Sequence, residues 1–189
     1  DDLNKIQYYI KIVEEHTLSI RQLREKIKAK EYERLPEDTK KLLINVEQSS
    51  MIDFVKNPIL IKNNNYEIIS EKVLQKLILE DVSSFLEELG YGFTFIKNEY
   101  KIKIGDRYNY IDLLLFNIEF NCYVVVELKV TELKKEYIGQ IEIYMNYIDN
   151  NLKKIYHDKT IGIIICKKDN KFILEYCSDK RILSREFIL

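Results

Sequence analysis

Asp112, Glu127 and Lys129 are ionisable residues at positions where a buried strand would be apolar. Asp112 interrupts Tyr110-Ile111-Asp112-Leu113-Leu114-Leu115-Phe116, and Glu127 with Lys129 interrupt the run from Tyr123 to Val130. Side chains alternate along a strand, so Glu127 and Lys129 project from one face. If the two runs close as a hairpin over the loop Ile118 to Asn121, then Asn117 pairs with Cys122, and counting back brings Asp112 opposite Glu127. The two carboxylates would then have Cβ atoms roughly 4.5–5.5 Å apart. Like charges that close need neutralising, and a divalent cation that prefers oxygen ligands, magnesium or manganese rather than zinc, does so. Lys129 would serve the water or phosphate beside that metal, which is the equipment for metal-assisted hydrolysis of a phosphodiester. Spacing alone equally allows an Asp112–Lys129 cross-strand salt bridge with Glu127 in solvent.

Other chemistries drop out on composition. Five glycines, at 90, 92, 105, 139 and 162, cannot write a phosphate-cradling loop or a dinucleotide fingerprint. Two isolated histidines, His16 and His157, cannot make a histidine metal site. Cys122, Cys166 and Cys177 lie in apolar runs without a Cys-x-x-Cys spacing, which predicts reduced thiols in a cytoplasmic protein. No apolar stretch is long enough to span a membrane, and the first residues do not read as a signal peptide. A net charge of −1 over 189 residues gives no broad basic footprint. The lysine-rich stretch from Lys153 to Lys171 reads as a solvated face, and the tyrosines fall mostly on core-facing phases, so none is assigned to nucleic acid.

The elements that must position the three residues can be laid out along the chain. Leu3, Ile6, Ile10 and Val13 recur at helical spacing, Ser19 is placed as the N-cap of a second helix carrying Ile20, Leu23 and Ile27, and Pro36 opens a third. Residues 1–56 read as a helical arm, 57–66 as a linker, and 67–189 as the main domain. In that domain Ser70 caps one long helix running to Leu89, with Gly90 closing it. Strands follow at Phe93 to Ile104, Tyr108 to Phe116 and Cys122 to Val130, then a helix from about Lys134 to Leu152. Further strands are predicted at Thr160 to Cys166, Phe172 to Cys177 and Ile182 to Leu189, giving an α/β mixed sheet with helices packed on it.

Asp112 followed by Glu127-Leu128-Lys129 on the next strand resembles the pattern of the PD-(D/E)XK nucleases. The longer stretches around it, Phe85 to Phe93, Tyr110 to Leu114, Cys122 to Lys129, Gly139-Gln140, Tyr144 and Ile161 to Lys167, resemble the C-terminal nuclease domain of the YhcG family from about Ser70 to Leu189. Leu18 to Leu23 and Tyr32 to Leu35 look like the end of that family's N-terminal helical domain, most of which is missing. The resemblance implies a restriction-endonuclease-like fold and a Mg²⁺-dependent (or Mn²⁺-dependent) endodeoxyribonuclease. It implies that Asp112 and Glu127 bind the metal, that Leu128 lends a backbone carbonyl, that Lys129 serves the attacking water, and that Gln140 stands beside the site. One departure concerns the first helix, where the family carries Leu-Glu and this chain reads Leu74-Gln75, while Glu99 stands on the first strand where the family has Gln. The expected partner is nucleic acid, DNA first, with copies of the chain associating through the apolar stripes of the arm. The alternative is a catalytically inactive nucleic-acid-binding or assembly module that keeps the fold.

Overall fold

The run of apolar residues after Asn121 becomes the centre of a sheet. The computed structural model describes residues 2–36, 40, 55–63, 66–67 and 69–189, and the chain divides into two units, Asp1–Asn57 and Pro58–Leu189. The first unit contains α1 (Asp2–His16) and α2 (Ile20–Lys28). The second runs β1 (Ile59–Leu60), α3 (Glu71–Glu80), α4 (Val82–Leu89), β2 (Phe93–Ile104), β3 (Arg107–Asn117), β4 (Cys122–Glu132), α5 (Lys135–Asn151), β5 (Ile161–Lys168), α6 (Lys171–Glu175) and β6 (Ile182–Ile188). The helix expected after Pro36 falls largely outside the described residues.

In the first unit Ser19 caps α2 as the sequence predicts, its hydroxyl accepting from the Gln22 amide while the Gln22 side chain returns to the Ser19 amide. The buried face of α1 differs from the predicted stripe. Tyr8, Tyr9 and Ile12 are buried, whereas Ile6 and Ile10 are 54% and 51% exposed. The reason is the polar tip of tyrosine. The Tyr8 hydroxyl donates to the buried Glu31 carboxylate at 3.1 Å, and that carboxylate is also held by Lys26 at 3.2 Å and Lys56 at 3.4 Å. An aromatic residue with a buried partner for its hydroxyl outcompetes an isoleucine for the inner face.

In the second unit the strand order is β1-β6-β5-β4-β3-β2. β2, β3 and β4 form an antiparallel meander, and β4, β5, β6 and β1 run parallel. The mixed sheet is therefore the one expected, and Ile59–Leu60, inside the segment read as a linker, supplies its last strand beside β6. The predicted long helix is two, because Asp81 breaks it: the Asp81 side chain accepts from the Ser84 amide and starts α4 afresh. The segment from Phe172 to Cys177, read as a strand, contains the short helix α6 instead. Gly90 closes α4 with φ 131°, a value that favours glycine.

β4 lies between β3 and β5, so both its edges are paired and Val124 to Leu128 are all buried. α5 packs on it and on β5 through Ile141, Met145 and Ile148. The close approach is set by Gly162 on β5. A Cβ there would stand 2.6 Å from Met145 Sδ and 2.9 Å from Ile141 Cδ1. Gly162→Ala should therefore cost about 1–3 kcal/mol through overpacking, measured as a lowered denaturation midpoint.

Candidate active site

The β3–β4 ladder runs from Asn117↔Cys122 to Leu113↔Val126, the register that the four-residue loop predicts. Asn117 builds the loop by accepting from the amides of Glu119 and Phe120 at 3.0 Å each. The ladder stops one step short of Asp112 and Glu127, and here the strands part. Asp112 turns its carboxylate onto β4, where Oδ2 accepts from the Leu128 amide at 2.8 Å. On the other side of β3, Asn98↔Leu113 and Tyr100↔Ile111 pair, which leaves Asp112 across from Glu99. Glu99 has φ 46°, a left-handed value uncommon for a side chain of this kind within a strand.

Glu127 is 1% exposed and lies on the central strand beside Ile164 of β5, not in solvent. Its Oε2 accepts from Gln140 Nε2 on α5 at 3.3 Å and faces Lys129 Nζ at 3.5 Å. Its Oε1 is buried and has no hydrogen-bond partner. Gln140 also donates to the Tyr144 hydroxyl at 3.0 Å, so the turn of α5 between them aims both residues at the site. The expectation that Glu127 and Lys129 share a face, and the place beside them that the resemblance implies for Gln140, describe what the structure brings together, and Tyr144 joins them.

The electrostatics follow from crowding. Burial, and then the nearby Asp112 charge, push the Glu127 carboxyl up to about 8, with Lys129 pulling the other way. Asp112 is also raised, by burial first, against the lowering influence of the Leu128 amide and Lys129. Burial on its own would lower Lys129, but the Glu127, Glu71 and Asp112 carboxylates outweigh it and hold the ammonium above its usual range. Two acids that resist ionisation beside one cation form a site with an excess of negative charge once both ionise.

Glu71 was not picked out from the sequence. It stands in the first turn of α3, one helical turn before Gln75, and its carboxylate reaches Lys129 Nζ at 3.4 Å. Gln75 Nε2 donates to the Asp112 carbonyl at 3.1 Å. The amide at position 75 thus braces β3, and the acid that α3 brings toward the lysine comes from one turn earlier. No sequence signal marked it, because an acid in the first turn of a helix is also what the helix dipole favours. Glu71→Gln should cost only about 0–1 kcal/mol of stability, since that side chain is half exposed, while releasing Lys129 from one of the two carboxylates it pairs with directly. The expected readout is an unchanged melt with slower cleavage.

A metal can be tested against these groups. Among the described residues no cluster of three or more His, Cys, Asp or Glu is placed to hold one. The protein's offer is the Asp112 and Glu127 carboxylates, with the unpartnered Glu127 Oε1 aimed at no protein donor, plus backbone oxygen. One or two carboxylates with water and substrate phosphate completing the shell is the set that suits Mg²⁺, so the residues present fit that ion.

The six-stranded mixed sheet with flanking helices is the PD-(D/E)XK nuclease fold. The chain belongs to the YhcG family: residues 45–185 match the model of the YhcG PDDEXK nuclease domain, a stretch that begins well before Ser70. It is 28% identical over 97 residues to "Putative nuclease YhcG" of Escherichia coli (strain K12), a match covering 51% of this chain and 26% of that protein. The chain therefore spans about a quarter of the length of that relative. Among solved structures, a repair endonuclease from Pyrococcus abyssi is 21% identical with a TM-score of 0.42, covering 66% of this chain and 48% of its own. The structure of an EndoMS–dsDNA2 complex is 22% identical with a TM-score of 0.45 and the same coverages. Among the described residues no helix is long and apolar enough to cross a membrane.

Proposed function

We propose that this chain is a metal-dependent nuclease that hydrolyses DNA phosphodiester bonds endonucleolytically, with Mg²⁺ (or Mn²⁺) held by Asp112, Glu127 and the Leu128 carbonyl. The observation that carries the reading is the Glu127 carboxylate: almost fully buried, lacking a partner for Oε1, and next to a second acid and a lysine. One lysine stands beside two crowded acids, and a second cation there would favour the ionised form of both. When bound, the metal would polarise the phosphate and lower the pKa of a coordinated water. Lys129, kept protonated by its carboxylate neighbours, is placed to orient an attacking water and would face the charge that develops on the phosphate. Gln140 fixes the Glu127 rotamer through Oε2, leaving Oε1 for the ion. The Leu128 amide holds Asp112, and Gln75 braces the strand that carries it. The buried, unpaired Cys122 and Cys166 support a reducing, cytoplasmic setting.

The test is a melt of the wild type in chelator and in Mg²⁺, with cleavage assays on linear, single-stranded and branched DNA and on RNA. Stabilisation by Mg²⁺ together with DNA cleavage is expected. Neither effect on any substrate would leave a binding or assembly module. Association of two copies through the arm belongs to the same proposal; it is motivated by an open furrow between α1 and α2 lined by Ile6, Ile10, Val13, Leu23 and Ile27. Sedimentation should give a dimer that Ile10→Asp dissociates, and a wild-type monomer would remove this part.

A further inference from the structure

β4 leaves β3 at Asp112, but β2 does not. The β2–β3 pairing continues through Tyr100↔Ile111, Lys101↔Tyr110, Ile102↔Asn109 and Lys103↔Tyr108 to Ile104↔Arg107, closed by Gly105 with φ 59°. From the site outward the hairpin is thus a two-stranded ribbon with no described β4 residue paired to it. Its cross-strand partners Lys101 with Tyr110 and Lys103 with Tyr108 share one face. All four side chains are exposed, Tyr108 by 57% and Tyr110 by 52%. Lys101 Nζ lies 3.8 Å from the centroid of the Tyr108 ring, which knits the strip together diagonally. Tyr110 is two residues from Asp112, roughly 6–7 Å along the strand.

Two large rings held in water on a ribbon are not explained by the core, which takes Ile102 and Ile111 from the other phase. Interleaved with lysines, they match a strand of nucleic acid: ammonium groups for the phosphates, rings for the bases. The acids of the ribbon itself lie at its ends, Glu99 and Asp112 at the base and Asp106 beside Arg107 at the turn. A single strand offers base faces along its whole length, whereas a duplex hides them in its stack except at ends and kinks, so the rings favour a single-stranded segment.

We infer that the exposed face of the β2–β3 ribbon, Lys101, Lys103, Tyr108 and Tyr110, binds a single-stranded segment of nucleic acid and leads it to Asp112. This inference rests on the nuclease reading for its direction, though not for its binding. The experiment is fluorescence anisotropy of labelled single-stranded and duplex oligonucleotides with the full chain in chelator, where metal-dependent cutting is silent. It compares wild type, Lys101→Ala/Lys103→Ala and Tyr108→Ala/Tyr110→Ala over a range of salt.

The tyrosine pair should lose single-strand affinity by on the order of tenfold or more. The lysine pair should weaken binding and flatten the salt dependence by about one to two in log–log slope. Circular dichroism should show both variants folded. Variants that bind single strands as the wild type does would overturn the inference, as would loss of duplex binding alone or capture of no oligonucleotide by the wild type. If the variants lose binding but the wild type never cuts with Mg²⁺, the strip stands and the nuclease reading fails. If cutting occurs and the variants bind normally, the reverse holds.

Discussion

Lys129→Ala and Asp112→Asn should each slow Mg²⁺-dependent DNA cleavage by on the order of 10²–10⁴-fold, with the fold retained. For Lys129 the loss is that of an ammonium that touches both Glu127 and the α3 acid Glu71. For Asp112 the substitution is chosen because an amide oxygen can still accept from the Leu128 amide, so the strand stays anchored while a charge on the metal is lost. Single-turnover rates at saturating enzyme separate this from weaker substrate binding. Rates within a few-fold of wild type would detach both residues from the chemistry.

Metal-free stability should fall as pH rises from about 4.5 to about 8. The Glu127 carboxyl ionises near its ordinary value of 4.5 in the unfolded chain and only near 8 when folded. Between those values the folded state holds more protons than the unfolded state, so its advantage is full below about 4.5 and lost by about 8. Asp112, also raised, adds in the same direction, whereas the raised Lys129 gives up its contribution only at higher pH. The total is on the order of a few kcal/mol, or about 2–4 °C in Tm for each kcal/mol in a chain of this size. Glu127→Gln should flatten the profile and melt higher than wild type at pH 8 in chelator. In Mg²⁺ the wild type should recover what it loses. A profile that rises with pH across this window in chelator would contradict the buried-acid account.

Much of the site was legible because strand periodicity and loop length are local. A two-residue period, a four-residue loop and a buried central strand put Glu127 and Lys129 on one face and set the β3–β4 register. The end of that ladder at Leu113 was not legible, since nothing in Tyr110 to Phe116 says where the partner strand departs. Glu71 escaped because it meets Lys129 across 58 positions of sequence. Asp81 hid a helix break, as the apolar periodicity of α3 continues into α4 while both bury one face. Phe172 to Cys177 is too short for periodicity to tell helix from strand. On α1 the stripe of Leu3, Ile6, Ile10 and Val13 leaves out Tyr8 and Tyr9, because aliphatic spacing carries no sign of the hydrogen bond from Tyr8 to Glu31. The exposure of Tyr108 and Tyr110 did not show in a reading that put most tyrosines on core-facing phases, because whether a hairpin extends beyond its neighbours depends on where the third strand leaves.

The central claim is that Asp112 and Glu127 hold a divalent metal, and it is tested most directly by the anomalous difference map of a crystal soaked in Mn²⁺. The account predicts a peak within about 2–2.5 Å of a carboxylate oxygen of each residue, with Glu127 Oε1 as one ligand and no peak in a Glu127→Gln crystal. A map without a peak between the two carboxylates, at a Mn²⁺ concentration that supports cleavage in solution, would contradict it.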